Sequence, residues 1–321
     1  MNREKLPLFD ELPLSERDPP YSAWGLWKDS SLGSLNHLTA DRVLQAAKNQ
    51  ITTGTRLTKF FASLPLNAIN PGLLGRPSFE QKLINKEPRV INDDSISFNT
   101  QCSTQWDSFR HFAYQKEKMF YNGITQDVIH GPDKPGVNGI GEWAERAIAG
   151  RGVLIDFYDW AQSNAYEFDP LATSPITVEQ IKRITTEKNI ELLTGDILFI
   201  RTGYVSAYRQ LSGDQRKDIS TRFAFPGLAQ SEETTRWLWE RQFAAVAADS
   251  PAFECTPPTD PEYFLHPVLL AGWGTPIGEL FDLEGLSEAC VKLNRWTFFL
   301  CSVPLNYSGA VASPANAMAI F

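Results

Sequence analysis

TVEQIKRITTEKNIELLTGDILFIR, residues 177–201, is the stretch that decides the fold class. Thr177 and Gln180 have the spacing of a capping box, which predicts that a helix begins there. Apolar residues then recur at helical spacing, at Val178, Ile181 and Ile184. The run DILFIR follows and is typical of a buried strand. A helix followed at once by a strand is a building block of mixed α/β domains.

The same order of helix and strand recurs along the chain. A short helix at 142–148 precedes the apolar run VLIDF, and SEETTRWLWERQ (231–242) precedes AAVAAD (244–249). A further helix from Asp282 leads into WTFFLCSVPL (296–305). Repetition of this unit predicts a mixed α/β fold and argues against a β-sandwich or a helix bundle.

The domain organisation follows from composition along the chain. Residues 1–35 are rich in Pro, Asp, Glu and Ser and predict an N-terminal arm over the surface, its first 20 residues loose, and the remaining length fits one large domain or two intimate ones. The polar segment 71–88 is interrupted by Gly and Pro. It therefore predicts a long excursion of the kind that covers an active site.

The first elements after the arm are predicted from pattern alone. LTADRVLQAAKNQ (38–50) indicates a helix with Thr39 as its N-cap. One side of that helix is expected to be formed by Val43, Leu44, Ala46 and Ala47. The segment TRLTKFFASL (55–64) then indicates a strand.

Composition and charge exclude several classes of protein. The 30 Lys and Arg against 38 Asp and Glu give a net charge of −8 with no basic cluster, which argues against nucleic-acid binding. No stretch approaches the ~18 consecutive apolar residues of a membrane span, and the N-terminal residues lack a signal-peptide core. We therefore expect a cytoplasmic protein that binds no membrane. The four cysteines form no CxxC pair, which predicts free thiols in a reducing compartment.

Candidate functional residues gather in FNTQCSTQWDSFRHFAYQKEKMFYNG, residues 98–123. Four polar residues of the same parity recur there: Gln101, Gln105, Asp107 and His111. An extended chain would direct all four side chains to one face, where they can hold a metal or a polar substrate. The alternative is a half-buried strand whose polar face is solvated.

Other motifs carry less information. GIGEWA (139–144) matches the GxGxxA form of a dinucleotide fingerprint, but HGPDKPGVN before it is no strand, so we expect no nucleotide site. His37 and His130 lie in loop-like contexts and are expected at the surface. An imidazole-based site would then use His111 or His266.

QCSTQWDSFRH, residues 101–111, resembles the signature HxGTHxDxPxH of the cyclase family, which includes bacterial kynurenine formamidases. The likeness continues in order and spacing over roughly residues 95–320. The similar blocks are GRGVLID (150–156), GDILFIRTGY (195–204), FPGL (225–228), RWLWERQFAAVAADSPAFE (236–254), HPVLLAGWGTPIGELFDLEGL (266–286) and VPLNYSGAVASPANAMAI (303–320). The ordered series is much more specific than any single block.

The resemblance implies one catalytic domain at 36–321 with a swivelling β/β/α fold, usually in a homo-oligomer. It also implies a divalent metal that activates water for attack on an amide, lactam or related carbonyl. By position, Asp107 corresponds to the family's metal carboxylate and His111 to its proton donor and acceptor. His266 and Glu279 correspond to its distant metal ligands. Carboxylate and imidazole suit both Zn²⁺ and Mn²⁺.

The chain departs from the signature at two histidines and a glycine, which are here Gln101, Gln105 and Ser103. An amide oxygen binds zinc more weakly than imidazole does, so one of the family's two metal positions should be weakened or absent. We therefore expect one divalent metal, Zn or Mn, with Gln105 as an additional ligand. The glutamines and the run TQWD resemble a fungal branch of the family that is associated with secondary metabolism.

Three functions remain open. The first is a metal-dependent hydrolase or cyclase that acts on an amide, lactam or ester-type bond next to a carbonyl. The second is a metal-free lyase, dehydratase or ring-closing enzyme with His111 and Asp107 as acid and base. The third is a non-catalytic relative that binds a ligand.

The substrate is expected to be a small molecule. Aromatic side chains crowd the motif, which favours an aromatic substrate. The residues predicted to bind it are Gln101, Trp106, Phe109 and Tyr114. The aromatic residues around the motif can equally belong to the core.

Overall fold

The computed structural model describes residues 6–57, 63–133 and 136–321. In chain order its strands are β1 (Arg56–Leu57), β2 (Glu80–Asn85), β3 (Asn92–Ser97), β4 (Gln105–Asp107), β5 (Ile148–Asp156), β6 (Pro175–Ile176), β7 (Ile197–Arg201), β8 (Gly227–Leu228), β9 (Ala245–Ala248), β10 (Ile277–Glu279), β11 (Thr297–Ser302), β12 (Ala312–Pro314) and β13 (Ala317–Ile320). Its α-helices are α1 (Ala40–Gln50), α2 (Gln126–His130), α3 (Gly141–Arg146), α4 (Phe157–Ser163), α5 (Val178–Glu187), α6 (Tyr204–Gln210), α7 (Gly213–Ser220), α8 (Glu232–Arg241), α9 (Leu265–Pro267) and α10 (Glu284–Leu293).

Nine of the strands form one mixed sheet in the order β1-β13-β11-β5-β7-β9-β10-β4-β12. Strands β5, β7, β9 and β10 are parallel neighbours at its centre. The strands outside them, β11, β13 and β1 on one side and β4 and β12 on the other, pair antiparallel. Two short sheets, β2 with β3 and β6 with β8, lie apart from it.

Both faces of the central strands are buried. In β7, Leu198 and Ile200 pack in one apolar cluster, whereas Ile197 and Phe199 pack in another. A parallel strand buried on both faces requires a near-continuous apolar run, which explains DILFIR. The mixed α/β fold predicted from the helix and strand order is therefore confirmed.

Residues 177–201 fold as their sequence predicts. Thr177 accepts a hydrogen bond from the backbone of Gln180, and the Gln180 side chain accepts one from the backbone of Thr177. This capping box starts α5, whose inward side is apolar, with Val178, Ile181 and Ile184 buried. The later units are also present: α8 precedes β9, and α10 precedes β11.

Several expectations need correction. Thr39 caps α1 as predicted, but Leu44 is half exposed, and the buried side of the helix holds Ala46 and Gln50. The segment 71–88 is no continuous loop, because it contains β2, which forms an exposed hairpin with β3. The strand predicted at 55–64 is seen as β1 alone, and residues 58–62 lie outside the described residues.

His37 was expected at the surface and is instead buried, because its ring packs edge-on against Trp27 with 4.9 Å between centroids. Burial, with a smaller contribution from Arg42, lowers the pKa of His37 to about 4. His130 is exposed at the end of α2, as expected.

The described part of the predicted arm packs against the domain. Trp24 Nε1 donates to the carbonyl of Ala271 (2.7 Å), and Phe9 is buried. Arg236 in α8 makes an ion pair with Asp10 at 2.7 Å. Within the described ranges, no helix has the length and apolar character that crossing a bilayer requires.

Candidate active site

The antiparallel pairing of β4 with β10 builds the floor of the candidate site. Gln105 lies opposite Glu279 in this register, and Gln105 Nε2 donates to Glu279 Oε2 at 2.7 Å. Asp107, two residues along β4, projects from the same face of the strand. All three side chains are buried, so β4 and β10 hold two carboxylates and an amide away from bulk water.

Turns on either side of β4 bring Gln101 and His111 to Asp107. The strand itself covers only Gln105–Asp107, so the extended chain expected over the whole motif is not present. Gln101 Nε2 donates to Asp107 Oδ1 at 2.9 Å and lies 3.2 Å from His111 Nε2. His111 Nε2 is 3.9 Å from Asp107 Oδ2. The polar residues of the motif are thus brought together by turns on both sides of a short strand, and not by the extended chain that was expected.

His266 enters the cluster from a distant part of the chain. It lies in α9, just before a π-helix at Val268–Trp273. Its Nδ1 is 2.9 Å from Glu254 Oε1, and its Nε2 is 3.7 Å from Glu279 Oε1. The rings of His266 and His111 have centroids 5.8 Å apart. The two distant residues, His266 and Glu279, are therefore both beside the motif.

Glu254 was not singled out from the sequence. It is fully buried, and its carboxylate determines which nitrogen of the His266 ring faces the cluster. The one available signal was its position as an acid shortly after the buried strand AAVAAD, in the apolar context SPAFEC. A buried carboxylate in apolar surroundings stays charged only beside a polar partner, and His266 is that partner.

The titratable groups are strongly perturbed. Burial raises the pKa of Glu279 well above its ordinary value, and the nearby Asp107 carboxylate raises it further. Burial alone would lower the pKa of His266, but the charge and hydrogen bond of Glu254 overcome this and raise it to about 9. Burial lowers the pKa of His111, and Asp107 opposes this only in part. His111 is therefore a neutral imidazole at pH 7.

The donor set fits a cation. One ligand atom from each of Asp107, His111 and His266 lies within 4.8 Å of the others. Within the described part of the chain, Asp107 Oδ2 and Gln105 Oε1 are buried without a hydrogen-bond partner. Buried acceptors without donors are costly, and a bound cation is one way to satisfy such atoms.

Two of the aromatic residues predicted to bind substrate, Trp106 and Phe109, lie away from the polar cluster. Trp106 is fully buried, donates from Nε1 to Ser302 Oγ at 2.9 Å and packs against Phe281. Phe109 is fully buried against Tyr121 and Trp143. The structure does not bring either ring to the polar cluster, so both follow the alternative interpretation as core residues.

A cleft of about 440 Å³ opens beside His111. Tyr114 lines this cleft, although its hydroxyl donates to the carbonyl of Pro20 at 2.8 Å. The other lining residues are Ala113, Gln115, Glu117, Lys118, Phe120, Thr125, Gln126 and Asp127. Because His111 is more exposed than Asp107 or His266, it lies between the buried cluster and the solvent.

A family model described as "Putative cyclase" matches residues 26–255. The crystal structure of a novel cyclase superposes with a TM-score of 0.81 at 29% identity and covers 94% of this chain and 99% of that chain. No curated protein sequence matches.

Two isatin hydrolases are more distant structural matches. Isatin hydrolase A from Labrenzia aggregata, bound to benzyl benzoate, has a TM-score of 0.56 at 16% identity, over 89% of this chain and 98% of its own. An isatin hydrolase bound to the product analogue thioisatinate has a TM-score of 0.57 at 13% identity, over 88% and 98%. At these identities the two matches show a shared fold.

Proposed function

Because the chain belongs to the cyclase family, we propose that it is a hydrolase or cyclase that acts on an amide, lactam or ester-type bond next to a carbonyl. The observation that carries this proposal is the cluster of buried Asp107 and His266 with the partly exposed His111, whose ligand atoms lie within 4.8 Å of one another. A structural core would not normally bury this many ionisable groups without fully pairing them. Perturbed groups beside a cleft are typical of an active site.

The proposed cofactor is one divalent ion, zinc or manganese. Asp107, His266, Glu279 and the unpaired Gln105 Oε1 would hold it, and Glu254 orients His266 by binding its Nδ1. A divalent cation supplies Lewis acidity, which polarises a carbonyl and makes water more acidic. The oxygen-rich donor set should accept Mn²⁺ more readily than a histidine-rich site does.

The Gln101 side chain supports a single metal position. Its amide nitrogen lies between Asp107 Oδ1 and His111 Nε2, at 2.9 and 3.2 Å. A hydrogen-bond donor there satisfies the two acceptors that a second cation would otherwise bridge. Gln101, predicted to bind substrate, thus has direct contacts within the catalytic cluster.

His111 is the residue proposed to move protons. Its imidazole is neutral, and it faces both Asp107 and the cleft. It can therefore accept a proton from a nucleophile and return one to a leaving group. Asp107 is held by Gln101 and stabilises the imidazolium while the proton is on the ring.

The cleft defines the substrate class only coarsely. Its volume of about 440 Å³ admits a small organic molecule, and Tyr114 and Phe120 offer it aromatic surface. Gln101 and Gln105 support the proposal that the chain belongs to the fungal glutamine-containing branch of the family and acts in secondary metabolism.

A metal-free lyase, dehydratase or ring-closing enzyme is the second candidate. The Gln101 contact favours it, because an amide that already links Asp107 to His111 can organise an acid and a base without a cation. In that case Glu279, whose pKa is raised by burial, would be a proton donor.

One experiment separates these functions. Protein purified without added metal is analysed for its metal content and assayed against a panel of small amides, lactams and esters. About one equivalent of Zn or Mn, with hydrolysis that is lost on chelation and regained with metal, supports the first function. Elimination or ring closure of open-chain hydroxy or amide acids, assayed in parallel and independent of metal, supports the second. Absence of both metal and turnover, with retained ligand binding, indicates the non-catalytic relative and refutes the proposal.

A further inference from the structure

An arginine, Arg76, reaches the polar cluster from the turn that precedes β2. Its Nη1 donates to the main-chain carbonyl of Gln101 at 3.3 Å. The side chain of the same glutamine contacts Asp107 and His111. Gln101 therefore lies between a guanidinium group and the residues proposed to do the chemistry, and that chemistry makes no use of Arg76.

The turn that carries Arg76 holds its backbone in a defined place. The amide of Arg76 donates to the carbonyl of Leu73 at 3.1 Å, and Leu73 is buried. A Cβ at residue 72 would lie 2.2 Å from the carbonyl oxygen of Arg76, so only glycine allows the backbone to approach this closely. Gly72 in turn donates from its amide to Ser78 Oγ at 3.2 Å. These contacts fix the point from which the arginine side chain extends.

The guanidinium group of Arg76 has donors that the protein does not use. Among the residues that the structure describes, its side chain makes one hydrogen bond, to Gln101, and forms no ion pair with a carboxylate. Arg76 is partly exposed, so a ligand can reach it. The planar fork of N–H donors on a guanidinium group matches the two oxygens of a carboxylate. An arginine that served only to balance buried charge would be expected to contact a carboxylate of the protein.

The charge of Arg76 acts on the cluster. Burial lowers the pKa of His111, and His266 and Arg76 add smaller contributions in the same direction. Burial and Asp107 raise the pKa of Glu279, and Arg76 is one of the charges that oppose them. The positive charge therefore reaches the place where the reacting carbonyl would bind. Because the carboxylates of the cluster would repel an anionic substrate, a cation beside them favours its binding.

We propose that Arg76 binds a carboxylate of the substrate, set apart by a few carbon atoms from the carbonyl that reacts. This inference rests on the proposed hydrolase or cyclase function and narrows its substrate class to small organic acids. The spacing follows from Gln101, because the distance from its main-chain oxygen to its side-chain nitrogen is at most about 7 Å. A substrate with its carboxylate on Arg76 and its carbonyl beside His111 spans a similar length.

A positioning role is the alternative for Arg76. An arginine that only held the Gln101 carbonyl would act through Gln101, and its loss would affect charged and neutral ligands alike. An arginine that binds a carboxylate distinguishes the two, because its hydrogen bonds are strong only to the charged group. A matched pair of ligands that differ in one charge therefore separates these roles.

Binding of two probes to the full-length protein tests the inference without any turnover. Both have a benzene ring with a carboxamide, and the meta position holds a carboxylate in isophthalamate and a second carboxamide in isophthalamide. The ring suits the aromatic cleft beside His111. By calorimetry, we expect isophthalamate to bind at least about tenfold more tightly than isophthalamide. Arg76→Gln should weaken isophthalamate binding by about 10–100-fold and isophthalamide binding by less than about threefold.

Two further variants complete this test. Arg76→Lys keeps the charge but not the planar fork, so it should retain part of the preference for isophthalamate. The matched control Arg89→Gln, at an exposed position between β2 and β3, should leave both affinities unaltered. Circular dichroism shows whether each variant is folded.

Several results would overturn the inference. Binding of neither probe, or equal binding of both by the unaltered protein, would do so. An equal loss of both probes in Arg76→Gln would leave Arg76 as a residue that only positions Gln101. A preference that is lost with Arg76, while no amide, lactam or ester of the panel is hydrolysed, would support the inference and reject the hydrolase. Hydrolysis without such a preference would keep the hydrolase and reject the inference.

Discussion

The Glu254 carboxylate provides the most direct test of the candidate site. It is fully buried and 2.9 Å from His266 Nδ1, which leaves Nε2 facing Glu279 and the rest of the cluster. Glu254→Gln keeps the size of the side chain and removes its charge. We expect the variant to fold and to bind metal more weakly.

The magnitude follows from the same contact. Burial lowers the pKa of His266, but the charge and hydrogen bond of Glu254, with smaller contributions from Glu279 and Asp107, overcome this and raise it to about 9. Glu254 therefore supplies a large part of the attraction for positive charge on the ring. A metal at Nε2 transfers only part of its charge to the imidazole, so the loss should be about 1.4–2.7 kcal/mol, or ~10–100-fold in affinity.

Competition of zinc or manganese against a chelator at fixed pH measures this change. Glu179→Gln, an exposed position at the start of α5, is the matched control and should leave the affinity unaltered. Thermal unfolding without metal shows whether the Glu254 variant keeps its fold. An affinity equal to that of the unaltered protein, or an increase in the variant, would refute the assignment of His266 as a ligand oriented by Glu254.

Three further predictions concern other residues. His111→Ala should lower turnover by about 10²–10⁴-fold with an unchanged fold. The control His130→Ala, at an exposed histidine, should leave turnover unchanged, and near-normal turnover of the His111 variant would reject the acid/base role. The double change Gln101→His and Gln105→His should raise zinc affinity or stoichiometry in a chelator titration, because imidazole is the better zinc donor; no change would mean that neither side chain serves the metal. His37 has a pKa of about 4 in the folded protein and about 6.5 in the unfolded chain, so between these values only the unfolded chain takes up the proton. The free energy of unfolding should therefore be highest above pH 6.5 and fall by up to ~3 kcal/mol as the pH drops to 4. Urea unfolding at pH 7 and 4.5 should show a smaller loss for His37→Gln than for the unaltered protein, and equal losses would contradict the neutral buried imidazole.

Most of the fold could be predicted because its evidence is local. The capping box of Thr177 and Gln180 and the spacing of Val178, Ile181 and Ile184 specify α5 from residues within one or two turns. Continuous apolar runs indicated strands buried on both faces. Amphipathic pattern failed at β2, where an all-exposed hairpin has no buried face to produce alternation.

The candidate site could be predicted only in part. Gln105 and Asp107 share a face because they are two apart on one strand, which the sequence alone implies. Trp106, between them, must point to the opposite face, and there it joins the core. The positions of His266 and Glu279 came from resemblance to a family, since no local pattern links them to the motif.

By itself, the sequence determined the helix and strand order, the buried strands and the polar motif, because these depend on backbone geometry over a few residues. Tertiary structure decided the contacts between distant residues. Gln105 meets Glu279 across 174 positions of sequence, and Glu254 meets His266 across 12. These contacts depend on how β4 pairs with β10 and where α9 packs, and the free energy of that packing is distributed over the whole core.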